Sequence, residues 1–159
     1  MVIRVITISD RASEGIYDDV SGPVIERILR EKISLCSVSR QLVPDERKAI
    51  MDALQHAADV DVIITSGSTG ISQRDVAPEV TTEYCDRLIP GIAEFLRNES
   101  LRETPYAVLS RGVAGMKGKT VIINLPGSVK AADFCTRLIV PLLVHSVAMA
   151  ANEGHCRKE

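Results

Sequence analysis

The stretch Asp61-Val62-Ile63-Ile64-Thr65-Ser66-Gly67-Ser68-Thr69-Gly70-Ile71-Ser72 passes from a short apolar strand straight into a loop of small and hydroxylated residues. The strand at 61–65 has no polar alternation, the pattern of a strand covered on both faces. The loop at 66–74 offers backbone N–H groups that can converge, with hydroxyls as further donors. Phosphate oxygens need that arrangement, although glycine and serine also serve ordinary tight turns.

The same arrangement recurs on either side. Val2–Ile8 is a β-branched apolar strand, interrupted only by Arg4 and Thr7, and a polar loop at 9–19 follows it. Residues 36–43 read as another strand, with Val38 and Leu42 spaced for one face. Thr120–Leu125 is a third buried run, broken by Pro126-Gly127-Ser128. Helical periodicity fills the intervals. Val24, Ile25, Ile28 and Leu29 mark 20–32. Ile50, Met51, Leu54 and Ala58 follow Pro44-Asp45-Glu46. Further helical segments are expected at 77–85, 92–101 and 131–152. Alternating strands and helices predict a three-layer α/β/α sandwich with a mainly parallel sheet, in which ligands bind beyond the carboxyl ends of the strands. Function is therefore expected in the loops at 9–19, 44–46, 66–75 and 126–130. Residues 1–153 read as one domain and 154–159 as a frayed tail.

Composition narrows the classes. The 159 residues are 45% hydrophobic and 25% charged, with a formal net charge of −2. This predicts no nucleic-acid partner, and it requires that an anionic ligand be held by local donors. The N-terminus lacks a signal-peptide layout. The longest apolar stretch, 138–151, contains Pro141 and His145 and reads as too short to span a bilayer, so a cytoplasmic protein without a membrane partner is expected. Cys36, Cys85, Cys135 and Cys156 form no CxxC pair, and His56, His145 and His155 are scattered, so no transition-metal site is expected. A hard cation on carboxylates fits better: Asp10, Asp18, Asp19, Asp45, Glu46 and Asp75 all fall at strand ends, although Asp45 and Asp75 can also serve as helix caps.

Two nucleotide motifs fail on context. The segment 113–120 approximates a P-loop, but Val113 replaces its first glycine and the segment precedes a strand instead of following one. No G-x-G-x-x-G follows the first strand, which removes a nicotinamide site. Ser110-Arg111-Gly112 remains as a loop arginine able to grip an anion in bidentate fashion.

Taken in order, five motifs resemble those of MogA/MoaB-like molybdenum-cofactor proteins. The first is Ile8-Ser9-Asp10-Arg11-Ala12-Ser13 with Gly15, Tyr17-Asp18-Asp19 and Ser21-Gly22. The second is Val43-Pro44-Asp45-Glu46. The third is Thr65 to Gly70 with Arg74-Asp75-Val76-Ala77-Pro78-Glu79. Ser110 to Gly115 and Asn124-Leu125-Pro126-Gly127-Ser128 complete the set. The resemblance implies Mg²⁺-dependent transfer of AMP from ATP to the terminal phosphate of molybdopterin, commonly by a homotrimer whose product passes to a metal-insertion protein. A non-catalytic molybdopterin-binding paralogue is the alternative.

On the family's pattern, Asp45 and Asp75 are the catalytic and metal-positioning aspartates. Gly67, Ser68, Thr69 and Gly70 form the nucleotide-phosphate loop, and Pro126, Gly127 and Ser128 lie near the pterin. Ser9, Asp10, Ser110 and Arg111 join the expected binding set. In one place the chain departs from the family: Ser68 stands where a second adjacent glycine is usual. It puts a side chain where the backbone needs close approach or positive φ.

Overall fold

The computed structural model describes residues 1–57 and 59–151. The expectations at Ala58, Asn152, His155 and Cys156, and for the tail at 154–159, lie outside these residues. Strands β1 (Val2–Ile8), β2 (Ser37–Val43), β3 (Val62–Ser66), β4 (Arg87–Leu88), β5 (Ala114–Lys117) and β6 (Thr120–Leu125) form one sheet in the order β2-β1-β3-β6-β5-β4. The first four in that order run parallel, and β5 is antiparallel to both neighbours.

Helices cover both faces. Against one lie α2 (Ser21–Lys32), α5 (Pro90–Ser100) and α6 (Val129–Ala150), through Ile25, Leu29, Leu96, Ile139 and Leu143. Against the other lie α3 (Arg47–Gln55) and α4 (Ala77–Tyr84), through Ile50, Leu54, Val80 and Tyr84. The central strands serve both layers by simple alternation. Ile3, Val5, Val62 and Ile64 enter the first core, while Ile6, Ile8 and Ile63 enter the second. This two-sided demand is why the runs look uniformly apolar in sequence. Each buried Ile or Leu contributes about 1.5–3 kcal/mol, so the two cores are the main source of stability. The expected three-layer sandwich is the observed one.

Some details differ from the periodicity. Leu42 is 38% exposed near the carboxyl end of the edge strand β2, so Val38 and Val43 anchor that strand instead, one in each core. A short helix α1 (Asp10–Ser13) interrupts the expected loop, with the Ser9 hydroxyl accepting from the Ala12 N–H. The segment resembling a P-loop is the β5–β6 hairpin, with its turn at Gly118, and cannot cradle a phosphate between strand and helix.

The apolar stretch beginning at 138 belongs to the 22-residue α6, which by length and composition alone could cross a membrane. That helix carries Lys130, Asp133 and Arg137, and it commits Ala132, Cys135, Thr136, Ile139 and Leu143 to the interior.

One polar group sits deep between the sheet and α4. The Asn124 amide donates to the Thr65 and Thr81 hydroxyls, both at 2.9 Å, and its oxygen accepts from the Val113 N–H at 3.2 Å. Every polar atom of that side chain is engaged, so its burial carries no desolvation penalty from an unmet partner.

The connections from β1 to β2 through α2, and from β2 back to β3 through α3, leave on opposite faces of the sheet. The chain ends of β1 and β3 thus diverge, and a crevice opens between them.

Candidate functional site

The crevice is a cleft of about 670 Å³ at the carboxyl ends of β1, β3 and β6. Its floor depends on Gly67. This residue has φ +107°, and a Cβ there would stand 2.2 Å from the Ile8 carbonyl oxygen. Only glycine lets the loop after β3 lie on the end of β1. Gly67 N–H donates to the Leu125 carbonyl at 3.1 Å, and the Ser66 hydroxyl donates to the Pro126 carbonyl at 3.1 Å. These bonds draw the loop after β6 over the same spot.

Of the expected binding residues, Ser9, Asp45, Gly67, Ser68, Gly127 and Ser128 line this cleft. Ser128 also caps α6, its hydroxyl accepting from the Ala131 N–H at 3.3 Å. Pro126 and Ser110 line a smaller, mostly apolar cavity of about 190 Å³ beside it, with Leu96, Tyr106 and Cys135. The 126–128 loop therefore contributes to both walls.

Asp45 does not cap α3, which has no side-chain cap bond. Its carboxylate accepts from the Asp10 N–H at 2.7 Å, and the Asp10 carboxylate accepts from the Asp45 N–H at 2.9 Å. Asp10 also takes a bidentate grip from Arg74, with Nη2 at 2.7 and 2.9 Å and Nε at 3.1 Å. That bond, with the Asp45 N–H in support, holds the Asp10 carboxyl below the usual carboxylate range against the opposing effect of burial. Asp75 likewise leaves α4 uncapped and accepts from the Ser72 N–H at 2.9 Å.

The structure does not place Asp10, Asp75, Thr69, Gly70 or Arg111 on the cleft wall. Arg111 packs behind the loop. Its guanidinium donates to the carbonyls of Gly70 at 2.6 Å and Asp75 at 2.5 Å and pairs with Glu79, while its N–H donates to the Thr69 carbonyl at 2.8 Å. In this state the guanidinium braces the loop. Burial pushes the Glu79 carboxyl up, but the Arg111 hydrogen bond, its own backbone N–H and the charges of Arg111 and Arg47 together hold it below its usual range.

Ser68 adopts φ +56°, the left-handed conformation expected of the glycine it replaces. Its hydroxyl is directed into the loop, accepting from the Val76 N–H at 2.9 Å and reaching the Arg74 carbonyl at 3.4 Å. The residue is 7% exposed. It therefore closes the turn from within.

Several lining residues were missed as binding candidates: Thr7, Tyr17, Ser21 and Ser66. For Thr7 and Ser66 the available signal was a hydroxyl at the end of an otherwise apolar strand. Asp19 is held by the Thr7 hydroxyl at 2.9 Å and the Gly22 N–H at 3.0 Å. A Cβ on Gly22 would come within 2.4 Å of that carboxylate, which fixes the close approach of α2 to β1.

Three carboxylates, Asp18, Asp19 and Asp45, line the cleft, and among the described residues no lysine, arginine or histidine does. An anionic ligand here needs a cation to accompany it. No group of three or more His, Cys, Asp or Glu among the described residues forms a complete metal cage. Mg²⁺ does not require one, because it takes one or two carboxylates with waters and substrate phosphates. Asp45 and Asp75 each have one carboxylate oxygen committed to a backbone N–H and another left to offer. Carboxylate oxygens of this kind, Asp45 on the cleft wall and Asp75 in the neighbouring loop, are the donors such an ion takes.

A family model described as a probable molybdopterin binding domain matches residues 4–145. The molybdopterin adenylyltransferase of Helicobacter pylori strain 26695 is 39% identical over 149 residues, covering 91% of this chain and 85% of the relative. The solved structure of the molybdopterin biosynthesis enzyme MoaB from Thermus thermophilus superposes with a TM-score of 0.88 at 39% identity, covering 95% of this chain and 96% of the other. The tungsten cofactor synthesizing protein MoaB from Pyrococcus furiosus superposes with a TM-score of 0.84 at 32% identity, covering 94% and 96%.

Proposed function

The chain belongs to this molybdopterin-binding domain family, and on that premise we propose that it is a molybdopterin adenylyltransferase acting in molybdenum cofactor biosynthesis. A terminal phosphate oxygen of molybdopterin attacks the α-phosphorus of ATP. The bond from that phosphorus to the bridging oxygen breaks, and pyrophosphate leaves. The observation that carries the reading is the cleft at the β1–β3 divergence. It is walled by the Gly67 loop, hydroxyls and carboxylates, and among the described residues no cysteine, histidine or lysine lines it.

That composition suits a reaction whose nucleophile is already ionised on the substrate, so the protein's task is to align two anions and offset their charge. Asp45 and Asp75 are the residues that would hold Mg²⁺, which when bound would supply positive charge to the phosphates. Asp10 orients Asp45, and Gly67 gives the nucleotide phosphates access to backbone N–H groups. Ser68, the departure from the family's glycine pair, accepts the backbone conformation of glycine and keeps its hydroxyl within the loop, so it leaves the phosphate side open.

The reading extends to residues 1–153 as one molybdopterin-binding unit in the cytoplasm, assembled as a homotrimer and delivering its product to a metal-insertion protein. Exposed Val144 and Met149 on α6, with Tyr106 and Val108, supply apolar surface for such assembly.

The test is an adenylyl-transfer assay with purified protein, fresh molybdopterin, ATP and Mg²⁺, followed by chromatography of the pterin. Magnesium-dependent adenylyl-molybdopterin with stoichiometric pyrophosphate is expected. Molybdopterin binding without product would overturn the enzyme in favour of the binding protein.

A further inference from the structure

We propose that Arg74 is a positioning residue for adenylyl transfer, setting the separation of the Asp45 and Asp75 carboxylates by tying the loop after β3 to the Asp10–Asp45 pair. The inference rests on the function and metal assignment proposed above.

Three chain segments meet at this tie. Asp10 begins α1 at the end of β1, Asp45 follows β2, and Arg74 immediately precedes Asp75 in the loop after β3. The Arg74 backbone is fixed inside its loop, with its N–H on the Ser72 hydroxyl at 3.2 Å and its carbonyl near the Ser68 hydroxyl at 3.4 Å. Its side chain alone leaves the loop, reaching both oxygens of Asp10. Asp10 in turn exchanges backbone-to-carboxylate bonds with Asp45. A displacement of the 66–75 loop is thus carried to Asp45 through one rigid fork.

The Arg74 side chain is 59% exposed and that of Asp10 is 32% exposed. An ion pair so accessible contributes little to folding, so its geometric consequence is the larger one. A bidentate fork constrains direction as well as distance, which a lysine ammonium cannot do.

The experiment measures Mn²⁺ affinity of the full chain with a non-hydrolysable ATP analogue, by the electron paramagnetic resonance of free Mn²⁺, alongside kcat and KM for transfer. Arg74→Ala is expected to weaken Mn²⁺ binding and lower kcat roughly tenfold to a hundredfold, as outer-sphere orienting residues do. Its melting temperature should move by no more than about 2–4 °C. Arg74→Lys should recover little. The double variant Arg74→Ala with Asp10→Asn should be no worse than the poorer single variant, because both break the same link.

Unchanged Mn²⁺ affinity and kcat in Arg74→Ala would overturn the proposal. So would full rescue by lysine, which would reduce the role to charge, or additive losses in the double variant, which would place Arg74 on the substrate itself. Wild-type protein that binds Mn²⁺ and nucleotide but makes no product would remove the proposed function, and the Mn²⁺ affinities alone would then judge Arg74. Wild-type protein that binds neither overturns both.

Discussion

Asp10 and Asp45 clasp one another across the ends of neighbouring strands, the N–H of each donating to the carboxylate of the other at 2.7 and 2.9 Å. The ring they form locks the loop after β1 to the loop after β2. It also explains why Asp45 stands at the start of a helix without capping it.

Asp45→Asn keeps an oxygen for the Asp10 N–H and loses only the charge. Transfer should fall by at least about a hundredfold with circular dichroism unchanged, the loss expected when charge offset at a phosphoryl centre is removed. Turnover near that of the wild type would remove Asp45 from the mechanism.

Asp75→Asn likewise retains an acceptor for Ser72 and is expected to abolish transfer in a folded protein. Pyrophosphate release under saturating ATP is the readout. A variant that turns over normally would leave Asp75 with no part beyond the loop.

Gly67→Ala places a methyl group 2.2 Å from the Ile8 carbonyl at φ +107°. Both effects act in the same direction, and a loss on the order of 2–4 kcal/mol is expected. Urea denaturation measures it, and an alanine variant as stable as the parent would contradict the close approach of these loops.

Ser68→Gly relieves a left-handed serine, worth about 1 kcal/mol, and forfeits a hydrogen bond to the Val76 N–H, worth about 1 kcal/mol. The two nearly cancel, so stability should change by less than about 1 kcal/mol. Because the hydroxyl points into the loop, KM for ATP should stay within about threefold, under ~0.7 kcal/mol. A larger rise would mean that the hydroxyl reaches the nucleotide.

Burial pushes the Cys85 thiol from 9.0 up to about 11, with Asp86 adding to the shift and Lys117 opposing it. The thiolate is the reactive form, so at pH 7.5 only roughly 3 × 10⁻⁴ of the group is nucleophilic. Alkylation followed by peptide mapping should find Cys85 nearly inert at neutral pH and about tenfold faster per unit of pH below 11. The unfolded chain loses this proton first. The associated stability is therefore present below pH 9.0 and is lost as pH rises toward about 11. Rapid labelling at neutral pH would contradict the burial.

Much of this molecule was legible because its strands are covered on both sides. Val2–Ile8 and Thr120–Leu125 advertise themselves by lacking any polar face. The antiparallel edge did not, because β4 has only two residues and β5, Ala114–Lys117, includes a glycine and a terminal lysine. Strands so short carry no periodicity to read.

At the site, the motif residues converge on one end of the sheet as strand ends must. Their division between two cavities, and the engagement of the Arg111 guanidinium on the loop's own carbonyls, depend on where side chains point after folding. Local spacing does not encode that. Arg74 illustrates the same gap: its partner Asp10 is 64 positions away.

The buried amide of Asn124 has a consequence for how β6 finds its place. In Val121-Ile122-Ile123 one apolar side chain is nearly as acceptable as the next on either face, so hydrophobicity alone would tolerate a shifted pairing with β3. A shift of one position would turn Asn124 into the opposite core. A shift of two would carry it away from Thr65 and Thr81, and either error strands an amide in a dry interior. Asn124 thus penalises misaligned chains during folding. The loop that begins one residue after Leu125 inherits its placement over the cleft from that alignment.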